Sequence, residues 1–313
     1  MESVNIILNQ LVLLGILLGI GFSFRKIKLF DEKNTHGIAK LVVNLLLPML
    51  IFELVAESGV QPSAYLDMMM YAVGVALIYT FMYFLGTYLG KLLGLSGKRL
   101  DVFILFMMFG NTNFFGVPLI LSLFNNPTAS LNLSQQMIVD NLFLWSIGLN
   151  LCKRHLGISD MRSQIRAMAN PTTIALVLGI LSLTTGIHLS GQLQNAVLGL
   201  ADSTKYLSMI YLGSLLAGLN VGPIIKEKSI YALIVVKMVL LPILFFRVFK
   251  LFFPIQSAQT VATMFALPGM VTVSILVAMH DSDATYAAGI VFITTLLCLV
   301  TLPLVTFVFT LLS

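Results

Sequence analysis

FGNTNFFGVPLI, residues 109–120, puts two asparagines, a threonine, two glycines and a proline into an apolar run that otherwise reads as one membrane helix over 99–124. Pro118 has no N–H to give the carbonyl of Phe114, and Gly110 and Gly116 add backbone freedom beside it. Backbone groups released in this way cannot face lipid; they persist only inside protein or along a wet cavity. The stretch is therefore either a kink repaired by its neighbours or a helix broken to build a site, and the rest of the chain decides between these.

The surroundings are strongly apolar. Of 313 residues, 58% are hydrophobic and only 10% charged, and the mean hydropathy is +0.98. A soluble domain carries about a quarter charged residues, so the composition points to an integral membrane protein. Apolar stretches at 4–24, 36–56, 66–90, 99–124, 134–152, 171–188, 194–218, 229–250, 257–280 and 284–311 are each close to the roughly 20 residues that cross a bilayer as helix. They predict an all-α polytopic membrane protein with ten transmembrane helices. The longest polar stretch, 153–170, is a connector, and no segment is polar enough for a soluble domain. Val4 to Phe24 is longer than a signal-peptide core and lacks a small-residue cleavage site, which predicts a retained span. Cys152 and Cys298 lie at or inside apolar segments and define no disulfide framework.

Fourteen of the 18 lysines and arginines fall in alternate connectors. Arg25, Lys26, Lys28, Lys33 and Lys40 follow span 1; Lys91, Lys98 and Arg99 follow span 3. Lys153, Arg154, Arg162 and Arg166 follow span 5, and Lys226 and Lys228 follow span 7. The connectors after spans 2, 4 and 6 hold none. The positive-inside rule then makes the odd connectors cytoplasmic and both termini extracytoplasmic. Arg247 and Lys250, at the outer end of span 8, are the flanking exceptions.

A second interruption stands at a matching depth. FALPGMVTVS, residues 265–274, places Pro268 and Gly269 in span 9 and frees the carbonyl of Met264. Each half of the chain thus holds five spans with a breaker in the fourth, residues 1–152 and 171–313 flanking the connector 153–170. An odd number of spans makes the second half enter from the opposite face, which predicts inverted-topology repeats of the kind found in secondary transporters. Two helices broken at the midplane bring half-helix N-termini together, and free N–H groups there suit a carboxylate. Asn111, Thr112 and Asn113 offer amide and hydroxyl groups at that level, and Pro268, Gly269, Thr272 and Ser274 lie at the matching level of span 9. Pro48, Pro242 and Pro303 read as ordinary kinks repaired by their neighbours.

GNTNFFGVPL in span 4, LPGM in span 9, the run GIVFITTLLCLVTLP (289–303) in span 10, NLLLPMLIF (44–52) in span 2 and Asn170-Pro171 opening span 6 together resemble the auxin efflux carrier family. Its members include plant auxin exporters and bacterial carriers described as malate or malonate permeases. The resemblance implies two inverted five-helix repeats with broken, crossing helices 4 and 9, a sodium/proton-antiporter-like fold. It also implies a scaffold of spans 1, 2, 6 and 7, a mobile transport domain of spans 3–5 and 8–10, and a homodimer formed through the scaffold. In the resemblance Asn111 matches the family's crossover asparagine and Pro268 its partner proline. Where plant members carry a proline this chain has Gly110, and Tyr206 stands where a span-7 proline is expected.

Ionisable residues inside spans are functional candidates, because burying them without a partner is costly. Asp140, six residues into span 5 with no basic residue near it in sequence, is either a proton-coupling carboxylate or an interfacial one wetted by solvent. Asp202 and Lys205, three apart, read as an ion pair on one helix face, with a substrate contact as the alternative. Lys237, eight residues into span 8, either snorkels to the cytoplasmic interface or attracts an anion. Glu53 and Glu57 read as facing an aqueous vestibule.

The leading expectation is a secondary carrier for a small organic anion, a carboxylate such as malate or an auxin-like acid, in the cell membrane. It would work by alternating access, with Asn111 and the broken-helix ends on the substrate and Asp140 as the proton carrier. Sodium coupling stays open, since unwound carbonyls bind that ion too. An intramembrane enzyme would need clustered catalytic groups. His36, His155, His188 and His280 show no metal-ligand spacing, and GLSGK (94–98) lacks the spacing of a nucleophile motif. A channel would be marked by charged rings, and a transport-derived sensor is the remaining alternative. The sequence calls for no cofactor, no metal and no nucleic acid; the expected partners are the carboxylate and the lipid bilayer.

Overall fold

The computed structural model describes residues 2–56, 65–124, 127–157, 169–218, 222 and 224–312. Glu57, Arg162 and Arg166 lie outside the described residues. Helix is the only regular secondary structure among those described, apart from one isolated backbone bridge. Among the described residues four helices are long and apolar enough to cross a membrane: Glu32–Ala56, Asp67–Leu92, Lys228–Phe249 and Ala284–Leu312.

In chain order the helices are α1 (Glu2–Lys26), α2 (Glu32–Ala56), α3 (Tyr65–Leu92), α4 (Gly97–Met108), α5 (Val117–Leu123), α6 (127–153), α7 (Pro171–Thr185) and α8 (Gly191–Gly218). After them come α9 (Lys228–Phe249), α10 (Ile255–Phe265), α11 (Val271–Met279) and α12 (Ala284–Leu312). Local chemistry fixes several ends. Asp31 caps α2 by accepting from the Asn34 N–H at 2.6 Å. Asn170 caps α7 through the Thr173 N–H at 3.0 Å, with Pro171 in the first turn, where a missing N–H is harmless. Gly186, at φ 70°, closes the same helix in the left-handed conformation that glycine takes without strain.

The chain forms two compact units: residues 1–68, 113–138 and 169–218, and residues 69–112, 139–168 and 219–313. In the first, α1 lies against α8 with almost no side chain between the backbones. A Cβ added to Gly21 would fall 1.9 Å from the Ile210 carbonyl oxygen, and one added to Gly213 would fall 1.9 Å from that of Leu18. Small residues drive such contacts where lipid supplies no hydrophobic force between helices. Gly179 brings α7 onto α2 in the same way, against Val55. A hydrogen bond of 2.7 Å between the hydroxyls of Thr35 and Ser214 ties α2 to α8. Outward on α7, Ile174, Val177, Leu178 and Leu181 are exposed, as a lipid-facing surface requires.

The second unit packs α3, α4 and α9–α12 through aromatic side chains. Tyr71 meets Phe249 edge-on at 6.0 Å, Phe245 meets Phe265 at 5.4 Å, and Phe246 stacks on Phe309 at 4.8 Å. One end of this unit is fastened by ions. Arg99 reaches Glu227 at 3.1 Å and Asp283 at 3.4 Å while lying over the Tyr286 ring, and Arg154 pairs with Asp101.

Candidate functional site

The second unit contains both interruptions. Helix α4 stops at Met108, Phe109 is extended (φ −102°, ψ 121°), and helical winding resumes at Thr112 in a wide π-type turn that leads into α5. The break therefore falls at 109–111, not at Pro118. That proline lies in the first turn of α5, in winding continuous with the wide turn Thr112–Gly116 before it. In the ninth stretch α10 ends at Phe265, and Met270 is extended (φ −70°, ψ 121°) before α11 begins. The Met264 carbonyl, expected to be left unbonded by Pro268, receives a long contact from the Leu267 N–H at 3.4 Å.

The two extended pieces satisfy each other. Gly110 and Gly269 form an antiparallel backbone bridge, and the Asn111 N–H donates to the Pro268 carbonyl at 2.8 Å. Gly269 donates its N–H to the Thr294 hydroxyl at 2.9 Å, and that hydroxyl donates onward to the Ile290 carbonyl at 2.6 Å. Buried backbone groups in lipid must be paired, and this small patch of ladder pairs them. Both bridge positions are glycine because of proximity. A Cβ at Gly110 would lie 3.1 Å from the Met264 oxygen and from the Leu267 Cβ, and one at Gly269 would lie 2.8 Å from the Phe106 ring. Neither glycine has a positive φ, so the freedom expected of Gly110 is not what the fold uses.

Polar side chains gather around the bridge. Asn111 is completely buried, and neither its Oδ1 nor its Nδ2 has a hydrogen-bond partner. Thr112, also buried, directs its hydroxyl toward the Gly110 carbonyl at 3.4 Å and reaches the Asp140 carboxylate. Asp140 accepts a hydrogen bond from the Tyr79 hydroxyl. The Tyr79 ring is held by Phe109 at 5.5 Å, Phe143 at 5.0 Å and Phe265 at 5.2 Å.

Asp140 is only 2% exposed, which removes the reading of a wetted interfacial carboxylate. Its helix begins at Pro127 rather than near residue 134, so Asp140 lies thirteen residues in, roughly 20 Å along the axis. Lys237 does not snorkel. Its side chain is fully buried, and Nζ donates to the Phe109 carbonyl at 2.8 Å, within electrostatic reach of Asp140. The basic charge felt by Asp140 thus comes from far along the chain, without a direct ion pair, where its sequence neighbours offer none.

Other expected residues are placed elsewhere. Asn113, Gly116, Pro118 and Lys205 belong to the first unit. Asp202 and Lys205 form no ion pair, and the Lys205 ammonium lies over the Tyr206 ring at 5.0 Å. Thr272 is half-buried in the first turn of α11. Tyr79 and Thr294 were not foreseeable. A hydroxyl in an apolar span carries no sign in sequence of what it will meet.

A strongly apolar helical chain in which two interrupted helices pair their extended peptides beside an unpartnered buried amide, that of Asn111, is an integral, multi-pass membrane protein with a polar interior site. The model of the membrane transport protein family matches residues 6–164 and 154–306, which together take in nearly the whole chain. The chain belongs to this family, that of the auxin efflux carriers, and is accordingly a membrane transporter. No curated protein matches it.

Proposed function

We propose that the protein is a secondary carrier that moves a small organic anion across the cell membrane by alternating access, coupled to protons. In this reading ten helices form two inverted five-helix repeats whose fourth and ninth members cross at the Gly110–Gly269 bridge, with both chain termini extracytoplasmic. A carboxylate substrate takes hydrogen bonds from the Asn111 amide and from the N–H groups that open α11 beyond Pro268 and Gly269, with Thr112 and Thr272 beside them. Helix N-termini favour negative charge and have free donors. Asp140 takes up and releases the coupled proton. The transport body carries the crossing and moves as one piece, its end held by Arg99, Glu227 and Asp283. α1, α2, α7 and α8 supply the scaffold and a homodimer contact.

One observation carries this reading: Asn111 is completely buried at the break and neither of its amide atoms has a partner. An unsatisfied buried amide is costly, about 1–3 kcal/mol, and is retained where a ligand completes it. The test is uptake of malate, malonate and indole-3-acetate into proteoliposomes, with saturable counterflow separating a carrier from a channel. Asn111→Ala is expected to abolish uptake while the protein stays monodisperse in detergent. Wild-type uptake by that variant would remove the central contact.

A further inference from the structure

Among the described residues Lys237 is the one fully buried basic side chain, and its position is specific. Helix α9 widens into π-type winding at Ile234–Leu240, just before Pro242, with Lys237 in that wide turn. Such bulges recur at functional sites because they redirect a side chain out of the regular helical register. The Lys237 ammonium is thereby brought to the carbonyl of Phe109, the residue that ends α4. A helix C-terminus concentrates partial negative charge on carbonyls without partners in the helix. Around it are further oxygens: the Asp140 carboxylate, within electrostatic reach of Lys237, and the hydroxyls of Tyr79 and Thr112 that approach that carboxylate. An unwound carbonyl at a half-helix end, with a carboxylate and hydroxyls close by, is the ligand chemistry that holds a sodium ion in other broken-helix transporters. Here the positive charge belongs to the protein.

We propose that Lys237 is a resident cation: its ammonium occupies the place of an oxygen-coordinated monovalent metal ion at the broken end of α4, and this makes transport independent of sodium. The inference rests on the carrier reading above and deepens it by assigning the ion specificity to one residue. A lysine tethered to α9 satisfies the carbonyl end of α4 throughout a transport cycle. It also leaves Asp140 as the group that can exchange a proton. Shortening the side chain to Lys237→Ala removes the charge, keeps the oxygen atoms and leaves room for a small cation.

The experiment has a binding arm and a transport arm. Thermal unfolding of purified wild type and Lys237→Ala is followed in sodium chloride and in choline chloride at equal ionic strength. Carboxylate uptake is measured in proteoliposomes in the same two salts. Wild type is expected to show the same melting temperature and the same uptake in both. Lys237→Ala is expected to melt higher in sodium and to take up substrate on the order of tenfold faster with sodium than with choline. Lys237→Gln, which keeps a donor for the Phe109 carbonyl, serves as the second variant. It should fold in either salt and transport poorly in both. Sodium-dependent uptake or a sodium shift in wild type overturns the proposal. So does a Lys237→Ala protein that folds and responds equally to both salts, or one that fails to fold even in sodium. If no carboxylate is transported by wild type but the sodium shift of Lys237→Ala is present, the resident cation stands and the substrate reading alone falls.

Discussion

Tyr79, Thr112 and Asp140 come from three different stretches of chain and meet at one carboxylate inside the membrane-spanning unit. A carboxylate at that depth needs partners or a proton, and the Tyr79 hydroxyl and the Lys237 charge provide the partners. That arrangement gives Asp140→Asn a sharp meaning, because the amide keeps the size and can still accept from Tyr79 but cannot carry a proton. We expect this variant to retain counterflow of substrate and to lose accumulation driven by an imposed pH gradient. For a difference of about one pH unit, the lost accumulation is about tenfold for a single coupled proton. Full pH-driven accumulation in Asp140→Asn would remove the residue from the coupling role. The sequence marked Asp140 and Lys237 separately as buried charges worth attention. It could not show that they share a site, since nearly a hundred residues separate them and only the fold brings α6 and α9 together.

Three of the wide turns in these helices share a cause. Val42–Leu46, Thr112–Gly116 and Ile234–Leu240 each end two residues before a proline, at Pro48, Pro118 and Pro242. A proline inside a helix cannot donate to the carbonyl four residues back, and its ring crowds that carbonyl. Widening the preceding turn relieves the crowding without ending the helix. The prolines were legible as perturbations, but their outcome was not. Pro118, read with Gly110 and Gly116 as breaking the fourth span, follows a widened turn, while the interruption itself lies at Gly110, where a Cβ would sit a tight 3.1 Å from the Met264 carbonyl oxygen. Helix contacts in the first unit obey the same rule of proximity. Gly213→Ala would place a methyl group 1.9 Å from the Leu18 carbonyl oxygen, forcing α1 from α8. Overpacking of this kind typically costs about 1–3 kcal/mol. Gly199→Ala, on the same helix with nothing within 4 Å, should instead be neutral or stabilising by up to about 1 kcal/mol. Thermal unfolding in detergent compares the two, and equal melting temperatures would refute the close packing.

Composition and charge placement made the class of molecule readable at once: few charges, long apolar runs, and basic residues in every second connector. The family could be read from short motifs around the two interruptions. What the sequence withheld was the pairing of backbones at the bridge and the partnership of Lys237 with Phe109, because both depend on residues more than a hundred positions apart. Sidedness follows from the charge pattern alone and can be tested on the whole molecule. The connector after α3 should be cytoplasmic and the one after α9 extracytoplasmic, even though Arg247 and Lys250 flank the latter. Cys152 and Cys298 are buried, so replacing both by serine gives a clean background for single cysteines. In that background Leu251→Cys, at a position 77% exposed, should react with a membrane-impermeant maleimide added to intact cells. Leu93→Cys, at a position 40% exposed, should react only in inside-out vesicles. The reverse pattern would turn the molecule over in the membrane. It would also mean that Arg247 and Lys250 outweigh the basic connectors in setting its orientation.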